Sequence, residues 1–556
     1  MTADSETRSV QETFPAQVPW IRQLAADDPL RNPTASGPLD GILVAVKDNI
    51  DVQGVPTTAA FPGREQAVPA VSATVVNRLR AAGAGIAGKS NMDQFATGLV
   101  GTRSPYGSCS SVFSAAHVAG GSSSGSAVLV ASGEVPLALG TDTAGSGRVP
   151  AAFNGIVGFK PTRGVVPTTG VGPACRGLDC VTTFTRTVAE ARTAYDVLIG
   201  VDADDPWSRP VPALLPPGVA RRLNVLAVPA GHLDLDPEHR DPWAAAVAHA
   251  RTIAAHVVEL DVEDFLAAAR LLYMPAFVAM RWAAFGADVD LDDPRIDPSV
   301  AHIVRMGRDA SAADLLSGQE TLLQLRQRTQ PTWLDVDALL LPTTPTHPTH
   351  AAVAADPLGV NARLGTYTNF VNLLDLCAVA VPAAPRRDGL PFGVQLIAPA
   401  FADVPLLDLA ERWTGGHPRT PTPGQGRSLV AVVGAHLSGL PLNGQLQLLG
   451  GRLHSRARTE AGYSLYRLPG EGVARPGLLR TGEGPATGIA VELWDLPHQG
   501  IGALTDLIPA PLGLGSVVLA GGERVLGFLV ERWATVDATD ISAYGGWRAY
   551  LRTVAG

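Results

Sequence analysis

Gly41–Ile50 (GILVAVKDNI) is an apolar run that ends in Lys47, Asp48 and Asn49, and it predicts a buried strand. Ala73–Ala82 carries apolar residues at helical spacing and stops at Gly83, so it predicts an amphipathic helix. Ile86–Ala87 opens a short strand that ends at Lys89. Ser124–Ser132 is small and apolar and suits a buried helix. Val135–Leu139 predicts a strand that runs into the glycine-rich turn Gly140–Gly147. This alternation argues for an α/β fold around a mostly buried sheet. Residues 239–330 read as helices rich in Ala, Leu and Arg. Ala338–Leu341 and Leu390–Ala398 read as strands, the first cut by Pro342 and Pro345, and Val404–Trp413 as a helix.

The same pattern sets the domain boundaries. Residues 1–37 are polar and read as an irregular or helical lead-in to a domain spanning 38–416. His417–Arg427 (HPRTPTPGQGR) has the Pro, Gly and Thr content of a linker, assigned to 417–428. In 429–556, short strands at Leu465–Leu468, Ile489–Leu496 and Val517–Leu519 alternate with glycine turns. They predict a smaller second domain, β-rich or α+β.

Composition narrows the class. The chain has 556 residues, 46% hydrophobic and 17% charged, which is too apolar for disorder and long enough for two cores. A net charge of −9 without a Lys/Arg run argues against nucleic-acid binding. No apolar run reaches the length of about 18 residues that a membrane helix needs. Met1–Phe14 (MTADSETRSVQETF) lacks the basic and apolar regions of a secretory leader, so a cytoplasmic protein is expected. Four cysteines do not build a disulfide framework. Cys175 and Cys180 are close, but no His-x-x-x-His accompanies them, so no metal site is expected. Only Lys47, Lys89 and Lys160 are lysines among 43 basic residues. Arginine stays protonated, whereas a buried lysine can lose its proton and act as a base, so all three are suspects.

Three glycine-rich segments compete for chemistry. Gly83–Gly88 fits G-x-G-x-x-G, but it follows a helix and precedes a strand, the reverse of a dinucleotide fingerprint. Gly121–Gly125 fits G-x-S-x-G around Ser123, but Ser114–Gly120 does not read as the strand that a nucleophile elbow requires. His347 and His350 could close a triad, yet nothing singles them out. Gly140–Gly147 (GTDTAGSG) leads from a strand into small residues whose amides can converge on an oxyanion, with Ser146 near its end. A plain structural turn is the alternative.

Gly120–Gly164 (GGSSSGSAVLVASGEVPLALGTDTAGSGRVPAAFNGIVGFKPTRG) closely resembles the signature segment of the amidase signature family. Gly41–Asp51 and Ala87–Gly98 resemble two further blocks, and the spacings fit: 75 residues from Lys47 to Ser122 and 24 on to Ser146. The resemblance covers residues from about 40 to 415. It implies the amidase signature fold, a mixed sheet covered by helices, and a Ser-cisSer-Lys triad. Ser146 matches the nucleophile, Ser122 the bridging serine after a cis peptide, and Lys47 the base. The amides of Thr143, Ala144, Gly145 and Ser146 would form the oxyanion hole. Asp142, Ser123 and Arg148 would hold the loop, and Lys89 and Lys160 would be structural. No metal or organic cofactor is implied.

Within that family the chain resembles the allophanate hydrolases. Gly434–Leu446, Leu507–Val517 and Tyr544–Leu551 resemble their C-terminal domain, whose fold is similar to γ-glutamylcyclotransferase-like proteins. Pro173–Cys180 and Arg363–Ala383 resemble blocks of the same subgroup. Leu271–Arg281 (LLYMPAFVAMR) resembles its substrate-recognition helix, with Tyr273 and Arg281 eight residues apart. Eight residues turn an α-helix by about 80°, so both would face one pocket. The subgroup's Gly-Pro-Trp and Glu are replaced here by Pro275-Ala-Phe277 and Met280. The resemblance implies hydrolysis of the terminal amide of allophanate (urea-1-carboxylate), in urea or cyanuric acid degradation, by a homodimer. His436 would be the acid–base residue of the second domain, against the alternative of an assembly domain. An amidase for another small or aryl amide, and an inactive binding protein, stay open.

Overall fold

The computed structural model describes residues 17–212, 223–416, 427–470 and 472–554. Its contacts divide the chain into two units, 1–210 with 223–416, and 211–222 with 417–556. The predicted linker core, 417–426, lies outside the described residues.

The first unit is built on an eleven-stranded mixed sheet. Its order is Trp20–Gln23, Gly85–Ser90, Leu43–Lys47, Leu137–Asp142, Cys180–Thr185, Val157–Lys160, Leu376–Pro382, Gly393–Pro399, Ala338–Pro342, Val225–Pro229 and His256–Leu260. The central strands are buried along almost their whole length, so they read as apolar runs rather than alternations. Leu43–Lys47 lies between Gly85–Ser90 and Leu137–Asp142 and runs parallel to both. With Val46 opposite Leu139, Lys47 arrives beside the carboxyl end of Leu137–Asp142. In open α/β sheets that end is where sites form.

The helix Ser124–Ala131 packs on these strands through Ala127, Leu129 and Val130 against Ala45, Ala87, Ala138 and Phe184. Small residues permit the approach. Ser126 Oγ donates to the Leu139 carbonyl at 2.9 Å and lies 2.7 Å from Ser90 Oγ. A second core gathers Phe265, Leu339, Leu341, Phe370 and Ile397 under the other half of the sheet.

Three expectations are corrected. The lead-in is not merely irregular or helical: Trp20–Gln23 pairs antiparallel with Gly85–Ser90 and forms an edge strand. Residues 239–330 are not all helical. His256–Leu260 interrupts the helices Pro237–Ile253 and Glu263–Arg270 and adds the opposite edge strand, parallel to Val225–Pro229. Ser114–Val118 is a strand, but it pairs with Ser110–Ser111 in a ribbon apart from the main sheet. It therefore does not supply the sheet strand of a nucleophile elbow. The G-x-G-x-x-G segment sits between the helix Thr74–Ala81 and the strand Gly85–Ser90, the inverted order that the sequence indicates. Gly83 turns there at φ +99°, and a Cβ on it would lie 2.1 Å from Asp40 Oδ1.

The second unit is α+β. A five-stranded sheet runs Arg452–Arg458, Ala490–Pro497, Arg427–Val432, Arg524–Val530, Leu512–Val518. A three-stranded sheet runs Pro476–Arg480, Tyr463–Arg467, Thr539–Asp540. Val430, Val432, Tyr463, Leu465, Trp494, Phe528 and Trp547 pack in its core. Among the described residues no helix is long and apolar enough to cross a membrane.

Candidate active site

Lys47 ends its strand fully buried. Its Nζ lies 2.7 Å from Ser122 Oγ and 2.7 Å from Thr141 Oγ1. Burial lowers its pKa from the ordinary 10.5 to about 7, against the opposing pull of Asp93, Asp179 and Asp142. A substantial fraction is therefore neutral near pH 7, able to accept a proton. Ser122 is joined to Gly121 by a cis peptide and precedes the helix Ser124–Ala131. A Cβ at Gly121 would fall 2.0 Å from Asp93 Oδ2. Asp93 fixes this neighbourhood by accepting the amides of Gly101 and Arg103, at 3.0 and 2.9 Å, and by donating its own amide to the Ser122 carbonyl at 3.0 Å. The sequence alone does not single out Thr141. Asn49 Nδ2 lies 3.4 Å from the same Thr141 hydroxyl and donates to the Gly172 carbonyl at 2.9 Å.

Ser146 follows the strand Leu137–Asp142 in a turn organised by Asp142. The carboxylate accepts the amides of Gly145 at 2.8 Å and Gly147 at 3.0 Å, one on each side of Ser146. It also accepts from Arg148 Nε at 2.9 Å and Nη2 at 3.0 Å. Burial pushes the Asp142 carboxyl up, but the Arg148 guanidinium and its hydrogen bonds bring it below the usual range. Arg148 spends its other N–H groups on the Thr368 carbonyl, Gln395 Oε1 and Asn372 Oδ1, at 3.1, 2.9 and 3.0 Å. Both charges are fully buried and both are satisfied, the condition under which a buried ion pair is tolerated.

This geometry corrects the expected oxyanion hole. Gly145 has given its amide to Asp142 and is not free for a substrate oxygen. Gly145 instead serves shape: at φ +132° a Cβ would stand 2.4 Å from Thr368 Oγ1. Among the described residues, no protein acceptor takes the amides of Thr143, Ala144 or Ser146. These three remain able to meet a developing oxyanion. Thr143 Oγ1 donates to Asp179 Oδ1 at 2.5 Å, which anchors the turn from outside.

Tyr273 and Arg281 come together, but not by helical phase. Tyr273 closes the short turn Leu271–Tyr273, and Met274 is extended at φ −76°, ψ 155° before the helix Pro275–Ala284 begins. Pro275 is the cause, since the residue before a proline is forced out of the helical region. The pair meets as a cation over a ring, with the Arg281 guanidinium carbon 5.6 Å from the Tyr273 centroid. Arg281 is 3% exposed, yet its Nε and Nη1 find no acceptor among the described residues. Tyr273 packs on a cluster that holds Ala144 from the Ser146 turn, with Leu178, Leu272 and Phe277.

Other sequence candidates fall elsewhere. Ser123 Oγ donates to the Thr141 carbonyl at 3.2 Å and accepts the Thr141 amide at 3.3 Å, a structural tie. Lys89 pairs with Asp48 at 3.3 Å, and Lys160 donates to the Pro161 carbonyl at 2.8 Å. His347 stacks on Phe153 at 3.9 Å, and burial takes its pKa down to about 3. In the second unit, His436 Nε2 lies 3.0 Å from Gln445 Oε1 and its ring stacks on Phe528 at 4.9 Å. Burial lowers its pKa. These three residues and Arg475 line a cavity, and Arg475 Nε is buried without a hydrogen-bond partner among the described residues. All four cysteines are free and buried.

Residues 2–407 match the Amidase family and residues 428–552 the allophanate hydrolase C-terminal domain. Urea amidolyase of Lachancea kluyveri is 42% identical over 543 residues, covering 92% of this chain and 30% of that protein. Urea amidolyase of Saccharomyces cerevisiae is 40% identical over 580 residues, covering 97% of this chain and 31% of that protein. The chain thus spans about a third of the length of these curated relatives. Among solved structures, Kluyveromyces lactis allophanate hydrolase is 38% identical, with a TM-score of 0.79 over 98% of this chain and 95% of that one.

Proposed function

The chain belongs to the amidase family and carries an allophanate hydrolase C-terminal domain, and from that premise we propose that it hydrolyses the terminal amide of allophanate. The observation that carries the substrate reading is Arg281, a buried guanidinium with two unpartnered nitrogen atoms. Buried guanidinium N–H groups that lack an acceptor are costly, and a small substrate with a carboxylate at one end supplies the missing acceptor. The relatives named urea amidolyase and allophanate hydrolase support the same substrate.

The reaction follows from the site. Neutral Lys47 takes the Ser122 hydroxyl proton as Ser122 takes that of Ser146, because a hydroxyl both donates and accepts. Ser146 Oγ attacks the terminal carbonyl, and the oxyanion forms against the amides of Thr143, Ala144 and Ser146. The carbon–nitrogen bond breaks as the relay returns a proton to the nitrogen, and ammonia leaves. Water then attacks the Ser146 ester, giving its proton to the same relay, which restores the Ser146 hydroxyl. The product is N-carboxycarbamate, which loses carbon dioxide to give carbamate and then ammonia and a second carbon dioxide.

His436 is the acid–base residue proposed for that later breakdown, supported by its place on the cavity of the second unit. A cytoplasmic homodimer completes the proposal. Four buried free thiols suit a reducing compartment, and light scattering tests the assembly. Urea degradation is the setting that the relatives' names support; s-triazine degradation would feed the same substrate.

The test is ammonia release from allophanate, biuret, malonamate and a neutral amide. The expected result is strong preference for the anionic substrates. Equal or faster turnover of the neutral amide would make the chain a general amidase and overturn the assignment.

A further inference from the structure

We propose that Asn361 is a positioning residue that dictates where the Tyr273 hydroxyl sends its proton. The inference rests on the reading of Tyr273 as a substrate contact. Asn361 belongs to the helix Gly359–Leu364 and is 2% exposed. Its Oδ1 accepts the Leu99 amide at 2.7 Å, and its Nδ2 donates to Tyr273 Oη at 2.9 Å. A backbone N–H can only donate, so Leu99 requires the oxygen end of the carboxamide. That choice turns the NH2 end toward Tyr273. An NH2 group has no acceptor, so the tyrosine oxygen must accept, and its own hydrogen must point to a different atom. A carbonyl or carboxylate oxygen of the substrate is the acceptor this arrangement suits.

The carboxamide is held on both sides. Leu364 and Val360 of its helix pack with Leu99, Val100 and Phe153. Arg103 Nη2 donates to the Pro357 carbonyl at 2.6 Å, just ahead of the helix. The Leu99 carbonyl in turn accepts the Gly121 amide at 2.8 Å, one residue before Ser122. Asn361 therefore links the hydroxyl over Arg281 to the backbone that carries the Ser122 hydroxyl. An amide reversal would leave the Leu99 donor facing another donor, so the proton direction at Tyr273 is fixed by the fold rather than chosen on binding.

Asn361→Asp separates this role from a structural one. The carboxylate still accepts from Leu99, but it also accepts from Tyr273, whose proton then turns inward, away from the substrate. Asn361→Ser withdraws the carboxamide NH2 from Tyr273 by shortening the side chain, without adding charge, and serves as the second variant should the aspartate disturb folding, which thermal melting reports. Steady-state kinetics on allophanate and on a neutral amide are measured for both variants, Tyr273→Phe and the double variants. Asn361→Asp, Asn361→Ser and Tyr273→Phe should each raise KM for allophanate on the order of tenfold, with a smaller change in kcat and little effect on the neutral amide. In the Tyr273→Phe background either change at 361 should add almost nothing. An equal loss with and without the Tyr273 hydroxyl, or a kcat loss on every amide, would mean that Asn361 acts only through the Leu99–Gly121 backbone and would overturn the inference. A normal KM in Tyr273→Phe would instead remove the Tyr273 assignment itself, and the inference with it.

Discussion

Lys47 Nζ stands 2.7 Å from Ser122 Oγ and makes no ion pair among the described residues, whereas Lys89 pairs with Asp48 at 3.3 Å. Only the first of these amines is placed to cycle between charged and neutral forms. With its pKa lowered to about 7, Lys47 is protonated below that pH and cannot act as a base. The kcat/KM for allophanate should therefore fall as pH drops through about 7 and level off above it. Lys47→Arg should lose roughly 10²–10⁴-fold, the usual worth of a general base. A flat profile between pH 6 and 9, or a near-normal Lys47→Arg enzyme, would contradict the relay.

The same lysine has a stability signature. Its folded pKa lies below the unfolded value of 10.5, so between about pH 7 and 10.5 the unfolded chain binds more protons and stability rises with pH. Lys47→Met should be inactive yet melt higher than the parent at pH 7. The margin should shrink as pH rises toward 10.5, above which Lys47 is mostly neutral in both states. Calorimetry across that range checks the sign.

Ser146→Ala should abolish turnover with its fold intact, since its hydroxyl makes no hydrogen bond to another protein group among the described residues and its neighbours are held by Asp142. Ser123→Ala should stay active and lose about 1 kcal/mol of stability with its ties to Thr141. The opposite ranking in an ammonia assay would move the nucleophile to Ser123.

Asp142→Ala should be the most damaging change in the loop. It strips the partner from a fully buried guanidinium and frees two amides, and breaking a buried pair costs about 3–5 kcal/mol. Arg281→Met should behave in the reverse way. Among the described residues no acceptor loses a hydrogen bond from Nε or Nη1 there, so Tm should change little, while allophanate kcat/KM falls about tenfold to a hundredfold for a charged hydrogen bond. A Tm drop in Arg281→Met would show that the guanidinium is structural.

The second unit makes a separable prediction. A chain ending near Pro423 should fold and still release ammonia from the terminal amide, because Lys47, Ser122 and Ser146 all belong to the first unit. His436→Ala in the full chain should let N-carboxycarbamate build up, read by mass spectrometry. Loss of all amide cleavage in a well-folded truncation would mean that the tail completes the first site.

How much the sequence reveals depends on which forces place each residue. Lys47, Ser122 and Ser146 are legible from motif and spacing because they lie within contiguous signature blocks. Thr141 is not, although it sits in the same block, since its contact with Lys47 arises only when two strands distant in sequence align in parallel register. The amide of Gly145 looks free in the sequence. Only the fold shows the Asp142 carboxylate turned back upon it. Tyr273 and Arg281 do meet, but not through helical spacing: a continuous helix ignores the extended backbone that Pro275 imposes at Met274. His256–Leu260 was hidden because five residues between helices carry too little pattern to betray an edge strand.

All three lysines of the chain are fully buried, each at 0% exposure. The folded protein thus offers no side-chain amine to the solvent. Succinimidyl esters and amine-coupled supports should find no lysine to grip until the first unit opens. Labelling by such reagents becomes a clock for unfolding, and arginine or carboxyl chemistry is the sound route to attach this protein to a surface while it works.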